Sequence, residues 1–292
     1  MKAPAFAYLR ARSLPEVFDA LAKHGDEARL LAGGQSLLAA LNMRLDAPQV
    51  LIDINGLEAL RGIALDGGVV RIGALTRHRE LERSALVAQH LPLVHQAMPH
   101  VAHAAIRNRG TFGGSIAYAD PAAELPACSV ALDAQFVLAS RAGERRVAAR
   151  GFFRGLYETA LQPDEVLVAA EFPAPGAGYR SAFGELARRH GDFAVAGLAA
   201  HGQCVNRVLS DLRLVFFGVG AMPVAATSAV AALEGRPYSA ETLANARAAL
   251  AQDLDPMDDM HHSAATRLQL ARVLLARVLD ELSGIQSQDG RP

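Results

Sequence analysis

Two short segments contain the residue types that could hold an anionic ligand: Gly33-Gly34-Gln35-Ser36, and Thr111-Phe112-Gly113-Gly114-Ser115. A phosphate is held by backbone N–H groups converging on one concavity, and glycine permits both the φ values and the close approach this requires. In the first segment an apolar run, ARLLAG, stops at the glycine pair, and an apolar helix-like run resumes at Ser36. The N-terminus of that helix and the Ser36 hydroxyl would add to the donor set. The second segment repeats the recipe with a hydroxyl on each side of the pair. Two such loops could grip the two halves of a pyrophosphate. Each Gly-Gly also reads as a turn that merely punctuates structure. The residues alone leave a dinucleotide site and a pair of simple turns both open.

Other candidates carry less. The run GVGAMP at 218–223 half-matches a G-x-G-x-x-G fingerprint, but Pro223 replaces the third glycine, so it reads as a strand end. His100 and His103 have i, i+3 spacing without a third ligand, which reads as a pair of helix-surface histidines rather than a metal site. His261-His262 with Asp258-Asp259 reads as the polar entry to the last helix. No serine, cysteine or histidine constellation suggests a nucleophilic triad.

The elements that must position these residues follow from periodicity. Ser13 and Glu16 form a capping box for a helix over 13–24, with Val17, Phe18, Leu21 and Ala22 on one face and Gly25 at its end. A buried strand, ARLLAG, the first glycine loop, a helix over 36–45 and the strand VLIDI at 50–54 complete a first α/β subdomain, about 1–55. Asn55-Gly56 breaks the chain. A second subdomain, about 56–175, opens with an alternating strand at 68–74, and Thr76 can cap the helix after it. A helix interrupted by Pro92 and Pro99 spans 86–103, and the second glycine loop follows. Then come a helix near 121–132, the strand pair QFVLAS and ERRVAA, a helical turn at FFRGLY and the strand 166–172. PAPGAG at 173–178 breaks every regular pattern, which places a domain boundary there. From 176 to 286, three strand-like runs (179–188, 193–202, 208–218) precede three helical ones (227–234, 239–252, 263–283). The last helix carries Leu268, Val273, Leu274, Leu275 and Val278. This predicts an α+β chain whose second domain is a three-stranded antiparallel sheet backed by a helical bundle. The tail 287–292 reads as disordered.

Composition removes several alternatives. With 29 basic and 30 acidic residues in 292, the chain has no bulk field for nucleic acid or an anionic membrane. Trp is absent and aromatics are 5%, which argues against a base-stacking platform. The sequence has no secretory signal and no membrane span, so a cytoplasmic location is expected. Two distant cysteines, Cys128 and Cys204, cannot house a four-thiolate cluster.

The strings AGGQSL, IRNRGTFGGSIAYADPAAELPA and ARRHGDFAVAG, taken in order, resemble the FAD-binding flavoprotein subunit of the molybdenum hydroxylases. That family includes carbon monoxide dehydrogenase medium subunits and xanthine dehydrogenase FAD domains. The resemblance runs from near residue 1 to about 283. It implies a vanillyl-alcohol-oxidase-type FAD-binding domain in two subdomains over 1–175, followed by the smaller C-terminal domain. It further implies that Leu31, Ala32, Gly33, Gly34, Gln35, Ser36 and Leu37 wrap the FAD pyrophosphate from one side, while Thr111, Gly113, Gly114 and Ser115 hold it from the other. Glu124 takes the place of an acidic side chain for ligand hydroxyls, and Val101 and Leu167 fall where apolar side chains meet the flavin ring. For both of these, core packing alone is a sufficient explanation. Some relatives carry a lysine just after the Phe matching Phe183; this chain has Gly184 and Glu185 there, with Arg188 and Arg189 on a solvated face.

A flavin accepts single electrons and delivers pairs, so it suits the end of a chain that starts at one-electron centres. By resemblance, the substrate is oxidised at a molybdenum-pterin centre in a large subunit. Electrons then cross two-iron iron–sulfur clusters in a small subunit to this FAD, in a dimer of heterotrimers. Two other readings compete. One is a scaffold subunit that has lost FAD; the intact glycine segments count against it. The other is a stand-alone flavin oxidase, for which the sequence offers no catalytic base.

Overall fold

The computed structural model describes residues 2–284; the tail expected at 287–292 lies outside the described residues. Chain order begins with β1 (Ala7–Arg10), α1 (Leu14–His24), β2 (Ala28–Leu31), α2 (Leu37–Asn42) and β3 (Val50–Asp53). These strands form a small parallel sheet in the order β1-β3-β2, with α1 crossing between its two outer strands. Ser13 caps α1 by accepting the Glu16 N–H at 3.4 Å, and Gly25 ends the helix at φ +52°. The return arm of the expected box is shifted by one residue, since Glu16 accepts the N–H of Arg12 at 2.9 Å. Val17, Phe18 and Leu21 are buried as expected, but Ala20 completes the face and Ala22 is exposed.

The second unit is built on five antiparallel strands in the order β4-β5-β10-β6-β7, comprising β4 (Ile63–Asp66), β5 (Val69–Gly73), β6 (Gln135–Ser140), β7 (Gly143–Ala148) and β10 (Val166–Pro173). The hairpin strand β4 is absent from the sequence reading. It pairs with β5 through Gly67 and Gly68, both at positive φ, the geometry of a tight hairpin turn. Six helices separate β5 from β6: α3 (His78–Arg83), α4 (Ala85–His90), α5 (Pro92–Ala97), α6 (Ala104–Arg107), α7 (Phe112–Tyr118) and α8 (Glu124–Ala131). The expected helix over 86–103 is therefore two short helices and a turn, because Pro92 begins α5 and the chain leaves it before Pro99. Thr76 caps nothing; it is buried, and its hydroxyl exchanges hydrogen bonds with the N–H and C=O of Gly62 at 3.1 and 3.0 Å. A short helix α9 (Ala149–Phe152) and the two-stranded ribbon β8 (Phe153–Gly155) and β9 (Glu158–Thr159) lead to β10.

The remaining sheet has β11 (Tyr179–Ala187), β12 (Ala194–Val205) and β13 (Val208–Phe217), extended by a two-residue fourth strand, β14 (Val224–Ala225). Helices α10 (Thr227–Leu233), α11 (Ala240–Asp253) and α12 (Ala264–Ser283) pack on one face. Strand alternation divides the cores. Phe136 and Leu138 join a central core with α4, α5, α7 and α8, whereas Val137 and Ala139 join the first unit. Likewise Phe183, Ala199, Val215 and Phe217 of the last sheet enter the central core, while Ala182, Leu198 and Phe216 face α10, α11 and α12. The helices of the second unit are thus enclosed between two sheets.

Candidate functional site

The loop after β2 leaves its backbone donors free. Among the described residues, the N–H groups of residues 33–37 find no internal acceptor, while Gly34 sits at φ +72°. The expected helix over 36–45 is shorter, and Ser36 at its N-cap makes no side-chain cap bond, so its hydroxyl is also uncommitted. Such a run of unpaired donors requires water or a ligand. Gln35 turns its Nε2 back onto the Gly33 carbonyl at 3.1 Å, which fixes the loop's curvature.

The second glycine pair differs from the expectation. It is not a loop but the first turn of α7, and its donors are spent. Phe112 N–H donates to Thr76 O at 2.9 Å, Gly113 N–H to Ala74 O at 2.8 Å, and Ser115 N–H to Thr111 O at 3.1 Å. Gly114 N–H donates to the capping hydroxyl of Thr111 at 3.0 Å. The glycines here serve packing: a Cβ on Gly113 would lie 2.5 Å from that of Ala74, and one on Gly114 would lie 2.7 Å from Thr111 Oγ1. What this segment can offer a ligand is hydroxyls, Ser115 Oγ and the remaining proton of Thr111 Oγ1, rather than a nest of N–H groups.

A clamp that the sequence does not announce joins the two segments. Asn55 Nδ2 donates to Ala32 O at 2.7 Å and Leu31 O at 3.2 Å, and Asn55 Oδ1 accepts Arg77 Nη2 at 2.7 Å. Arg77 reaches on to the Arg109 carbonyl. Gly33 lies directly against Arg109 and Gly110, where any Cβ would collide with backbone. The break at Asn55-Gly56 is therefore a joint. Leu31 belongs to this support and does not reach the cavity wall.

All the other sequence candidates line one cavity of about 510 Å³: residues 32–37, Val101, Thr111, Gly113, Gly114, Ser115, Glu124 and Leu167. That volume falls in the range of small-molecule sites, about 300–1,000 Å³. Leu167 enters from β10 beside a register shift that displaces Val168, and Val101 enters from the turn before α6. The sequence did not single out Asp120, His78 and Phe193, which also line it. Phe193 stands at the mouth with 71% of its surface exposed, and Gly191 in the same loop packs on the Ala102 carbonyl.

Burial controls the charges. His78 donates from Nε2 to Thr111 O at 2.9 Å, and burial pushes its pKa down to about 4, so the ring is neutral. Burial raises the Asp120 carboxyl, and pushes Glu124 up to about 7 with Asp120 adding to it. A carboxyl in that state can donate a hydrogen bond as well as accept one. His100 and His103 sit around a turn rather than on a helix, and Arg188 and Arg189 are exposed as expected.

A donor-rich loop, two hydroxyls and an apolar pair in one cavity suit an extended ligand with an anionic and an apolar portion, as a dinucleotide has. Comparison with known proteins agrees. Residues 4–175 match the FAD binding domain in molybdopterin dehydrogenase, and residues 181–282 the CO dehydrogenase flavoprotein C-terminal domain. The alpha subunit of the 6-hydroxypseudooxynicotine dehydrogenase complex of Paenarthrobacter nicotinovorans is 38% identical, over 96% of this chain and 95% of its own. The carbon monoxide dehydrogenase medium chain of Hydrogenophaga pseudoflava is 36% identical, over 95% and 96% respectively. The crystal structure of carbon monoxide dehydrogenase from that organism, in a form lacking the Mo-pyranopterin moiety, superposes with a TM-score of 0.95 at 37% identity, covering 98% of this chain and 100% of that one. The chain belongs to the FAD-binding medium-subunit family of the molybdenum hydroxylases. It is a flavoprotein subunit of an oxidoreductase. No helix among the described residues is long and apolar enough to cross a membrane.

Proposed function

We propose that the cavity between the glycine segments holds FAD, and that this chain passes electrons from iron–sulfur clusters of a small partner subunit through FAD to an external acceptor. The observation that carries this reading is the single cavity that gathers the unpaired donors of residues 33–37, the hydroxyls of Thr111 and Ser115, and the apolar side chains of Val101 and Leu167. The FAD-binding domain spans 1–175 and the C-terminal domain 176–286. A large molybdopterin-binding subunit completes a heterotrimer, two of which form the cytoplasmic enzyme.

When bound, the flavin supplies the exchange between one-electron and two-electron transfer. The chain's own residues bind and orient. The N–H groups of 33–37 neutralise the pyrophosphate, with Gly33 and Gly34 allowing its close approach. Thr111 and Ser115 supply hydroxyl donors. Glu124 takes ligand hydroxyls. Val101 and Leu167 support the ring, and Phe193 screens the cavity mouth from water.

The visible spectrum of the purified chain, before and after addition of FAD, tests this directly, with released cofactor identified by mass. Flavin bands with FAD released are the expected result. A chain that stays colourless with FAD both alone and co-expressed with its partner subunits would refute the site and favour the scaffold reading.

A further inference from the structure

A second concavity adjoins the cavity and has no place in the site so far. Asp120, Ala122 and Phe193 line both, so these residues partition the cavity from a groove of about 330 Å³. Five connections converge on that groove: the residues before α8, the tip of the β8–β9 ribbon at Tyr157, the loop after β11 at Phe193, the turn after β13 at Gly218 and Gly220, and the loop before α12 at Met257, Asp258 and Asp259. The fingerprint-like run GVGAMP and the acidic stretch before the last helix, distant in sequence, thus meet. Arg267 of α12 fastens them: Nη1 donates to Val195 O at 3.0 Å and to Gly218 O, and Nη2 donates to Asp259. Asp259 Oδ1 also accepts the N–H groups of His261 and His262, each at 2.7 Å.

The lining selects the occupant. The groove lies near the lower end of small-molecule sites, about 300–1,000 Å³, and is smaller than the cavity assigned to a dinucleotide. Three carboxyl side chains border it, Asp120, Asp258 and Asp259, against one arginine whose Nη groups are already spent, so a pyrophosphate or other anion is disfavoured. The Gly218 N–H donates to Pro121 O at 2.8 Å, and a Cβ on Gly218 would lie 2.8 Å from Ala194 O, so this glycine packs strands rather than cradling phosphate. Phe193, Tyr157 and Met257 supply apolar surface. The Tyr157 hydroxyl reaches Asp120 Oδ2 only at 3.4 Å, long for an O–H···O bond, which leaves it open to a better acceptor. Apolar walls, a free O–H donor and an acidic rim suit a neutral ring with carbonyl oxygens. We propose, on the reading that the cavity holds FAD, that this groove is the site of the external electron acceptor and that the acceptor is a quinone, its ring flanked by Phe193 and Met257 and one carbonyl oxygen on the Tyr157 hydroxyl. Two electrons and two protons pass from fully reduced FAD to the two quinone oxygens, leaving oxidised FAD and a hydroquinone.

The test is binding of a fully substituted benzoquinone, inert to addition by thiols, to the full chain loaded with oxidised FAD, where no turnover occurs. Equilibrium dialysis reads it, after flavin absorbance has fixed the FAD content. One saturable site per chain is expected. Met257→Trp fills the groove from an exposed position and should weaken the quinone about tenfold with FAD content unchanged. Tyr157→Phe removes only the hydroxyl and should weaken it about fivefold, the worth of one hydrogen bond. A sulfonated counterpart of the same ring should bind about tenfold more weakly than the neutral one. No saturable binding of the quinone to FAD-loaded protein, binding that neither substitution alters, or a preference for the sulfonated ring or for NAD would overturn the proposal while leaving the cavity assignment intact. Protein that takes up no FAD, alone or co-expressed with its partner subunits, would overturn both.

Discussion

Replacing Gly33 by alanine tests the joint between the two glycine segments with a single methyl group. Its φ lies outside the left-handed region, so the change brings no backbone strain. The added Cβ would collide with the Arg109 carbonyl oxygen and lie 2.9 Å from Gly110 Cα and 3.0 Å from Arg109 C. All three contacts are backbone, so no side chain can rotate away. Overpacking of this kind costs about 1–3 kcal/mol. If the segments part in the free protein to relieve it, FAD must close them again and the cost appears as affinity, a loss of about 5- to 140-fold. If they cannot part, the same cost appears as a lower melting temperature of the free chain. Fluorescence titration with FAD and thermal melts with and without FAD measure both. Gly67→Ala is the control. It places a residue at φ +53° with no atom near its Cβ, so it costs about 1–2 kcal/mol of stability and leaves affinity unchanged. Gly33→Ala with affinity within twofold of wild type and an unaltered melt would refute the argument.

Asn55→Ala removes the link between the Ala32 carbonyl and Arg77; affinity for FAD is expected to fall about tenfold, by analogy with the loss of a charge-assisted bond of roughly 1.5 kcal/mol, and unchanged affinity would show that loop contact alone suffices. Glu185 binds its proton more tightly in the folded chain than in the unfolded one, so its contribution to stability is present below pH 4.5 and lost as pH rises through about 8. Glu185→Gln should therefore melt close to wild type at acid pH and a few degrees higher above pH 8, about 1–2 kcal/mol once relaxation around the charge is allowed for; a melting difference that is constant with pH would contradict this. Phe193→Ala should leave stability within about 0.5 kcal/mol because the ring is 71% exposed, yet shift the bound flavin's absorption and fluorescence. Unshifted spectra would remove Phe193 from the ring's surroundings.

What could be read in the sequence was set by local physics. Helix α1 was legible because Ser13 accepts the N–H three residues on, a signal complete within one turn, and α12 because Leu268, Val273, Leu274, Leu275 and Val278 recur at helical spacing. The three long strands of the last sheet were legible as strand-like runs, although β12 is buried along most of its length and does not alternate. The second glycine pair was misread because FGGSIAY is a poor helix by propensity, with each glycine costing about 1 kcal/mol. Contacts to Ala74 and Thr76 and the Thr111 cap override that cost. The Asn55 and Arg77 clamp had no local signal: its members are 22 residues apart in sequence and meet only once β3 and α3 are placed. Glu185 was visible only as a departure from relatives. Its burial depends on β11 turning that face toward α5 and α8.

The same geometry explains why the cavity is not the property of one segment. Its donors come from the loop after β2, its hydroxyls from α7, one apolar wall from the turn before α6 and another from β10, and its mouth from the loop after β11. Each contributor is held by another: Gly33 by Arg109 and Gly110, Gly191 by Ala102, and Phe183 by the core that also buries Phe112 and Leu125. Because the last sheet gives Phe183, Ala199, Val215 and Phe217 to that core, it is packed into the cavity's support rather than tethered beside it. Charge inside such an enclosed junction is costly, which is why Asp120, Glu124 and Glu185 are shifted toward their neutral forms, whereas Glu165, also in the cavity lining, is held below its usual range by its hydrogen bond from Arg145. On the reading that the cavity holds FAD, its pyrophosphate is met chiefly by unpaired N–H groups and hydroxyls, since Arg29 in the lining is already paired with Asp46 at 2.9 Å. Anion binding that rests mainly on neutral donors should make the affinity for FAD depend only weakly on ionic strength.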